Sequence, residues 1–337
     1  MSLSLGRDQY GPEVHVERSV EIVADFAELA QPWRREIVAH CYRMLGSAAD
    51  AEDAAQETFL RAWRGFDRFE GRSSPRTWLH QIATNVCLRQ LEQRARRVLP
   101  AGLGDPEPDW RRRARPADAG TPWIAPFPVD PAEVAATRQQ VRLAFVAALH
   151  HLPVRQRAAL LLRDVAQLSA DEVAAALDTT TVAVNGALLR ARDRMARLSP
   201  DPDELSEPDD PATRARLRRY VEAFENADVG ALTAVLREDV TLEMPPHATW
   251  FAGRGAVLGF LGAHVLREPG RFTVLEVRPG ANGQPTLAMY AGAEAHALQV
   301  LDLDAGGIRR IHIFLQPELF PIFGQPVSLG AGRDLPG

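Results

Sequence analysis

Ser169-Ala170-Asp171-Glu172, then Val173-Ala174-Ala175-Ala176-Leu177, then Asp178-Thr179-Thr180, is the stretch from which the rest of the chain is read. A Ser hydroxyl able to accept the N–H three residues on, with a Glu able to reach back, is a capping box. Val173, Ala176 and Leu177 mark the inner face of the short helix behind it. Asp178-Thr179-Thr180 is a turn offering fresh N-cap side chains, so a second helix starts at once. There Val184, Leu188, Ala191 and Met195 form one apolar stripe, and Asn185, Arg190, Arg192 and Arg194 lie largely off it. The pattern predicts a helix-turn-helix with a basic recognition helix. A plain helical hairpin has the same periodicity, and the macrodipole favours arginine near any helix C-terminus. Charge separates the two readings. Residues 133–198 carry nine Arg against six Asp and Glu, a net of +3, in a chain whose net charge is −5. A basic island in an acidic protein is the footprint of phosphate contact.

Working outward, 337 residues give room for two or three domains, and a hydrophobic content of 46% supports real cores. All 39 basic residues are Arg, so arginine richness by itself says little about nucleic acid. Cys41 and Cys87 fall within helical apolar patterns, which fits a reducing compartment without a disulfide framework. No stretch reads as a signal peptide or as a membrane span, so a cytoplasmic protein with no membrane partner is expected.

Residues 1–25 read as an arm, and 26–98 as helices. Ile37, Val38, Cys41, Tyr42 and Leu45 make a stripe ending at Gly46, a good residue beyond a helix C-cap. Over Asp50–Trp63 the pattern predicts Ala51, Ala55, Phe59 and Trp63 inward, with Asp50, Asp53, Gln56, Glu57 and Arg61 outward. Ser74-Pro75 starts the next helix. It is predicted to bury Trp78, Leu79, Ile82, Ala83 and Val86 and to expose His80, Gln81, Thr84, Asn85 and Arg89. Residues 99–131 hold eight prolines and the run Arg111-Arg112-Arg113, a linker without a core of its own; Trp110 and Trp123 are odd there and suggest docking. The helix-turn-helix unit covers 132–198, and 199–211, with six acids and no base, reads as a solvated spacer. Residues 212–324 form a third unit before a tail, 325–337. Helices are predicted at 213–226, 229–236 and 255–264, and strands at 240–244, 271–278, 286–290, 295–302 and 308–314, an α+β order.

Asp50-Ala51-Glu52-Asp53-Ala54-Ala55-Gln56-Glu57-Thr58-Phe59-Leu60-Arg61-Ala62-Trp63 resembles the polymerase-binding helix of bacterial sigma factors. Arg76-Thr77-Trp78-Leu79-His80, continuing to Leu88, resembles the adjoining promoter-opening helix, and Leu152-Pro153-Val154-Arg155-Gln156-Arg157 with Leu188-Leu189-Arg190-Ala191-Arg192 resembles the fourth sigma domain. Together they are similar to the extracytoplasmic-function sigma factors, which keep only the second and fourth domains. Met244-Pro245-Pro246-His247 through Arg254, and Leu319-Phe320-Pro321-Ile322-Phe323-Gly324, resemble the SnoaL-like branch of the cone-shaped NTF2 and ketosteroid-isomerase fold.

The resemblance implies a multidomain fold: all-α sigma domain 2, all-α sigma domain 4 with the helix-turn-helix, then an α+β SnoaL-like cone. It implies a transcription initiation factor that binds core RNA polymerase, through the β′ and β subunits, directs it to promoter DNA, and is regulated in cis by its C-terminal domain. The polymerase would meet Asp50, Asp53, Gln56, Glu57 and Arg61. Capture of the opened −10 element falls to Phe69, Arg72, Arg76, His80, Asn85 and Arg89. The −35 element falls to Thr180, Thr181, Asn185, Arg190, Arg192 and Arg194, with Asn185 suited to adenine and Arg192 and Arg194 to phosphate.

No enzyme, cofactor or metal is expected. A ketosteroid-isomerase-type site needs a carboxylate base and a donor in an apolar cavity. Glu243, His247, Trp250, Tyr290, His296 and His312 are candidates to line one, with room for a small-molecule ligand, yet they offer no convincing base–donor pair and no metal-ligand spacing. Two rivals stand beside this reading. One is a helix-turn-helix regulator with a ligand-sensing domain, which has no need of the 50–63 motif. The other is an isomerase or cyclase fused to a DNA-binding module.

Overall fold

The computed structural model describes residues 26–92, 94–128, 142–198 and 210–330. The predicted arm 1–25 and nearly all of the acidic spacer lie outside the described residues.

Three helices build the first unit: α1 (Arg34–Leu45), α2 (Ala48–Gly65) and α3 (Pro75–Leu91). Gly46, at φ 73°, closes α1 in the left-handed region, where glycine meets no Cβ penalty. Ser47 then caps α2 by accepting from the Asp50 N–H, and Ser74 caps α3 through Thr77. The second unit holds α4 (Leu143–His150), α5 (Val154–Leu160, running into a π turn at Leu161–Val165), α6 (Ala170–Ala176) and α7 (Thr181–Leu198). The capping box at Ser169 and Glu172 is formed in both directions.

The C-terminal domain is a six-stranded sheet in the order β2-β1-β6-β5-β4-β3. Its strands are β1 (Leu236–Glu243), β2 (Trp250–Ala252), β3 (Phe272–Val277), β4 (Thr286–Ala291), β5 (Glu294–Asp304) and β6 (Gly307–Phe314). Only the β1–β6 pair is parallel. The helices are α8 (Pro211–Glu225), α9 (Val229–Leu232) and α10 (Arg254–Phe260). Asp210, expected in the spacer, instead caps α8 through the Thr213 N–H.

Neighbouring residues of β4 serve different cores. Leu287 and Met289 pack with α8 and α10, while Ala288 and Tyr290 join a core continuous with both helical units. On β5, Ala297, Leu301 and Leu303 turn to the first face and Leu298 and Val300 to the second. At β4 and along most of β5 the sheet is thus a wall buried on both sides, and Thr286–Tyr290 is a continuous buried run for that reason.

The predicted linker has no core of its own but is pinned throughout its described length. Ile124 and Phe127 are buried, and Phe127 stacks on Tyr42 with ring centroids 4.4 Å apart. Trp110 lies over Gly259 so closely that an added Cβ there would stand 2.5 Å from the indole. Among the described residues, no helix is long and apolar enough to cross a membrane.

Candidate functional site

The outward face of α2 differs from the sequence expectation in two places. Asp53 and Gln56 are exposed, and Glu57 pairs with Arg61 at 2.6 Å along the same face. Asp50 is instead held internally, 2.7 Å from Arg94 and 2.6 Å from Arg97, tying the helix start to the chain beyond α3. Trp63, expected inward, is 46% exposed, and Leu60 beside it is 47% exposed. The reason is geometric. A residue every four positions drifts about 40° per step on a 3.6-residue helix, so the third step from Ala51 lies about 120° from it. The buried stripe therefore ends on Ala62, and Asp53, Gln56, Leu60 and Trp63 share the free face. The apolar half of that face was missed.

The expected −10 residues divide. Phe69 is half-buried and stacks on Trp78 at 4.6 Å, Arg72 is exposed and paired with Glu70, and Asn85 and Arg89 are exposed. Arg76 and His80 are engaged within the chain. Arg76 binds Glu36 through Nε and Nη2 and donates from Nη1 to the Ala166 carbonyl at 2.5 Å. His80 is 2% exposed and lies 2.9 Å from Glu36 Oε1. Burial alone would raise the Glu36 pKa, but bonds from His80 and Arg76, with their charge, outweigh it and hold the carboxyl at about 2. Thr84, expected outward, is buried against His40 Nε2 at 2.9 Å. Desolvation, then the charges of His80 and Arg43, hold His40 well below its ordinary pKa.

These interior positions exist because α3 has neighbours on two sides. Thr77 Oγ1 donates to Glu172 Oε1 of α6 at 3.0 Å, so the helix-turn-helix sits against α3. Asn85 and Arg89 face a hollow of about 260 Å³ closed on its far side by Val154 and Arg155 of α5. At the other end of the contact, Arg157 donates to the Met44 carbonyl at 2.5 Å and the His150 ring lies on Gly46. Desolvation, followed by Arg157, Arg97 and Arg96, keeps His150 far below its ordinary pKa.

On α7, Thr180 caps the helix through the Ala183 N–H, so its hydroxyl is engaged with backbone. Thr181 opens the helix half-buried; Asn185, Arg190 and Arg194 are exposed. Arg192 is bound in a two-point pair to Asp164, at 2.9 and 2.5 Å, which raises its pKa. Val182 at 79% and Leu189 at 72% exposure, seven residues apart, were not foreseen; apolar side chains on a free face beside Asn185 suit thymine methyl groups.

Three of the six cavity candidates meet. Register sets Glu243 opposite both Trp250 and His312. The other three do not join them. Tyr290 lies on the other core and donates to the Pro326 carbonyl, His296 packs on Phe272, and His247 sits in the turn after Met244. Residues 101–117 run along the mouth. The Ala101 N–H donates to Glu243 Oε2 at 2.8 Å, Trp250 Nε1 to the Gly104 carbonyl at 2.8 Å, and the Arg115 N–H to Thr249 Oγ1 at 2.8 Å. The carboxylate an isomerase would use as base is thus bound to the chain's own backbone.

The β3–β4 connection holds the three units together. Asn282, at φ 56° where Asn is tolerated, donates from Nδ2 to Tyr42 Oη at 2.8 Å and accepts the Phe127 N–H at 2.9 Å. Gln284 accepts the Leu143 N–H at 2.8 Å and donates to Asp302 at 2.7 Å.

The Sigma-70 region 2 family matches residues 29–97, and the Sigma-70, region 4 family matches residues 142–195. The ECF RNA polymerase sigma factor SigG of Mycobacterium tuberculosis is 46% identical over 316 residues, 90% of this chain and 85% of that protein. A probable ECF RNA polymerase sigma factor of the same organism, SigI, is 25% identical over 292 residues, 84% of this chain and 91% of that protein. The crystal structure of the extracytoplasmic function sigma factor SigJ, also from Mycobacterium tuberculosis, aligns with a TM-score of 0.56 at 22% identity, covering 91% of this chain and 100% of that one. That last likeness is one of fold.

Proposed function

The chain belongs to the ECF RNA polymerase sigma factors, and from that premise we propose that its SnoaL-like domain holds sigma regions 2 and 4 together in a promoter-incompetent arrangement. As a member of that family it binds core RNA polymerase and directs it to promoters. The proposal concerns how that activity is controlled.

One observation carries it: α3 packs directly on α6, with Thr77 bonded to Glu172 and Arg76 to the Ala166 carbonyl. Elements centred about 25 base pairs apart are separated by roughly 85 Å of duplex at 3.4 Å per pair. Two regions in direct contact do not reach both. The C-terminal domain supports the contact by binding Tyr42 on one side and the Leu143 amide on the other, so separation breaks buried hydrogen bonds. It acts by docking, and the connector bound across Glu243 supports that over turnover.

Fluorescence energy transfer between dyes at positions 68 and 193 of the full chain tests this. The distance should lengthen by tens of ångströms when polymerase and promoter are added. An unchanged distance in the open complex overturns the reading.

For the polymerase face, the free stripe Asp53, Gln56, Leu60 and Trp63 is the contact we propose, with the β′ subunit as the partner. Trp63→Ala should weaken core binding by about 2 kcal/mol, the range of a central aromatic anchor. Undiminished affinity in a pull-down titration removes Trp63 from the interface.

A further inference from the structure

Where the three units meet lies a half-open cavity of about 160 Å³. One wall is the small side chains Ala144 and Ala147 of α4; the others carry Arg96 and His151 from the helical units, and Glu243 and His312 from the sheet. Two observations give it a chemistry. Arg96 donates to His151 Nδ1 at 2.7 Å, and among the described residues it pairs with no carboxylate. Arg194 adds a second positive charge close enough, after burial, to lower the Arg96 pKa. The sigma side of the cavity is therefore cationic without compensation. On the sheet side, His312 is 1% exposed, and neither ring nitrogen has a hydrogen-bond partner. Glu243 Oε1 stands 3.6 Å from its Nδ1, beyond hydrogen-bond reach. Burial outweighs the neighbouring carboxylates and keeps that imidazole below its ordinary pKa, neutral, with one N–H donor and one acceptor open.

We propose that this junction binds a small hydroxy-carboxylic acid, its carboxylate at Arg96 and its hydroxyl at His312. The volume is about that of cavities that admit benzene, so one six-membered ring with short substituents fits the alanine wall. A second negative charge on the ligand would meet Glu243, which selects a monoanion over a dicarboxylate or a phosphate ester. The walls come from all three units, so a ligand that fills the cavity binds the closed arrangement better than the separated one and shifts the balance toward it. The coupling, not the site, rests on the cis-regulation proposed above.

Calorimetry on the full chain with 4-hydroxybenzoate, benzoate and phenol as probes tests the site. 4-Hydroxybenzoate should bind at least about tenfold more tightly than either of the others. Arg96→Ala and the cavity-filling Ala147→Leu should each weaken it by at least about tenfold with circular dichroism unchanged. No binding of any probe, equal affinities for all three, or binding that survives Ala147→Leu overturns the proposal. Binding as expected, with no effect of 4-hydroxybenzoate on the 68–193 distance reached when polymerase and promoter are present, leaves the site standing and sinks the coupling instead.

Discussion

Helices α3 and α7 both carry side chains expected at DNA, and the closed chain treats them in opposite ways. On α7 the face opposite the buried Val184, Leu188, Ala191 and Met195 is open, with Val182, Asn185, Leu189 and Arg190 free. On α3 Arg76, Thr77, His80 and Thr84 are all engaged within the chain, and Asn85 and Arg89 look across a hollow at α5. On the proposed assignment of these side chains, the closed arrangement disables strand opening far more than duplex recognition, so a sigma factor held this way finds a −35 element before it melts anything.

The strongest way to break the contrast is Asn282→Ala with Gln284→Ala. The Phe127 and Leu143 amides lose their acceptors, and each orphaned buried donor costs about 1–3 kcal/mol. The closed state should lose at least about tenfold in weight, and full-chain transcription with core polymerase should rise by a similar factor. If run-off product does not increase, the domain does not restrain the sigma regions. Gly46→Ala attacks the same closure from region 2. The position is left-handed and a Cβ would meet the His150 ring at 2.8 Å, so about 1–2 kcal/mol of backbone cost adds to a lost contact. The midpoint of thermal unfolding should fall by about 2–4 °C or more.

Asn185→Ala sharpens the contrast rather than breaking it. Preference at one base pair of the −35 element should relax by about 1–3 kcal/mol, equally in the native chain and in the Asn282 variant, because α7 is free in both. A gel-shift panel of single-base changes reads this, and uniform weakening across the panel would remove Asn185 from base readout. Arg190→Ala should reduce the salt slope of −35 binding by about one unit. Arg192→Ala should reduce it by less, since Asp164 already neutralises that guanidinium. The smallest effect concerns acid. Glu36 has a depressed pKa, so its contribution to stability is full above about pH 4.5 and is lost as pH falls toward 2. Glu36→Gln should remove that part of the acid sensitivity. An unaltered acid transition would show the His80–Arg76 cluster to be inert.

Much of this was readable from residue pattern. The capping box, the α7 stripe, the Gly46 stop and the order of helices before strands all follow from local chemistry that tertiary context did not override. His80 and Thr84, expected outward, are buried for a single reason: periodicity finds one buried face, and α3 has α1 and α2 on one side and α6 on another. Trp63 failed through accumulated angular drift. β2, three residues long, left too little alternation to detect. The sheet carried a signal that went unused, since Thr286–Tyr290 shows five consecutive buried positions where a one-sided strand would alternate. Trp110 and Trp123 did mark the connector as docked. Nothing in their spacing told where, because the acceptor surface at Gly259 lies 149 positions further along the chain.

The bond between Asn282 and Tyr42 joins residues 240 positions apart. Translation at about 5–20 residues per second puts roughly 10–50 s between the two. Region 2 and the helix-turn-helix leave the ribosome well before the side chain that fastens them exists. Each new molecule passes through an unfastened interval, and a message broken before codon 282 yields a chain that never leaves it. The timing of the proposed restraint is written into the order of units along the chain.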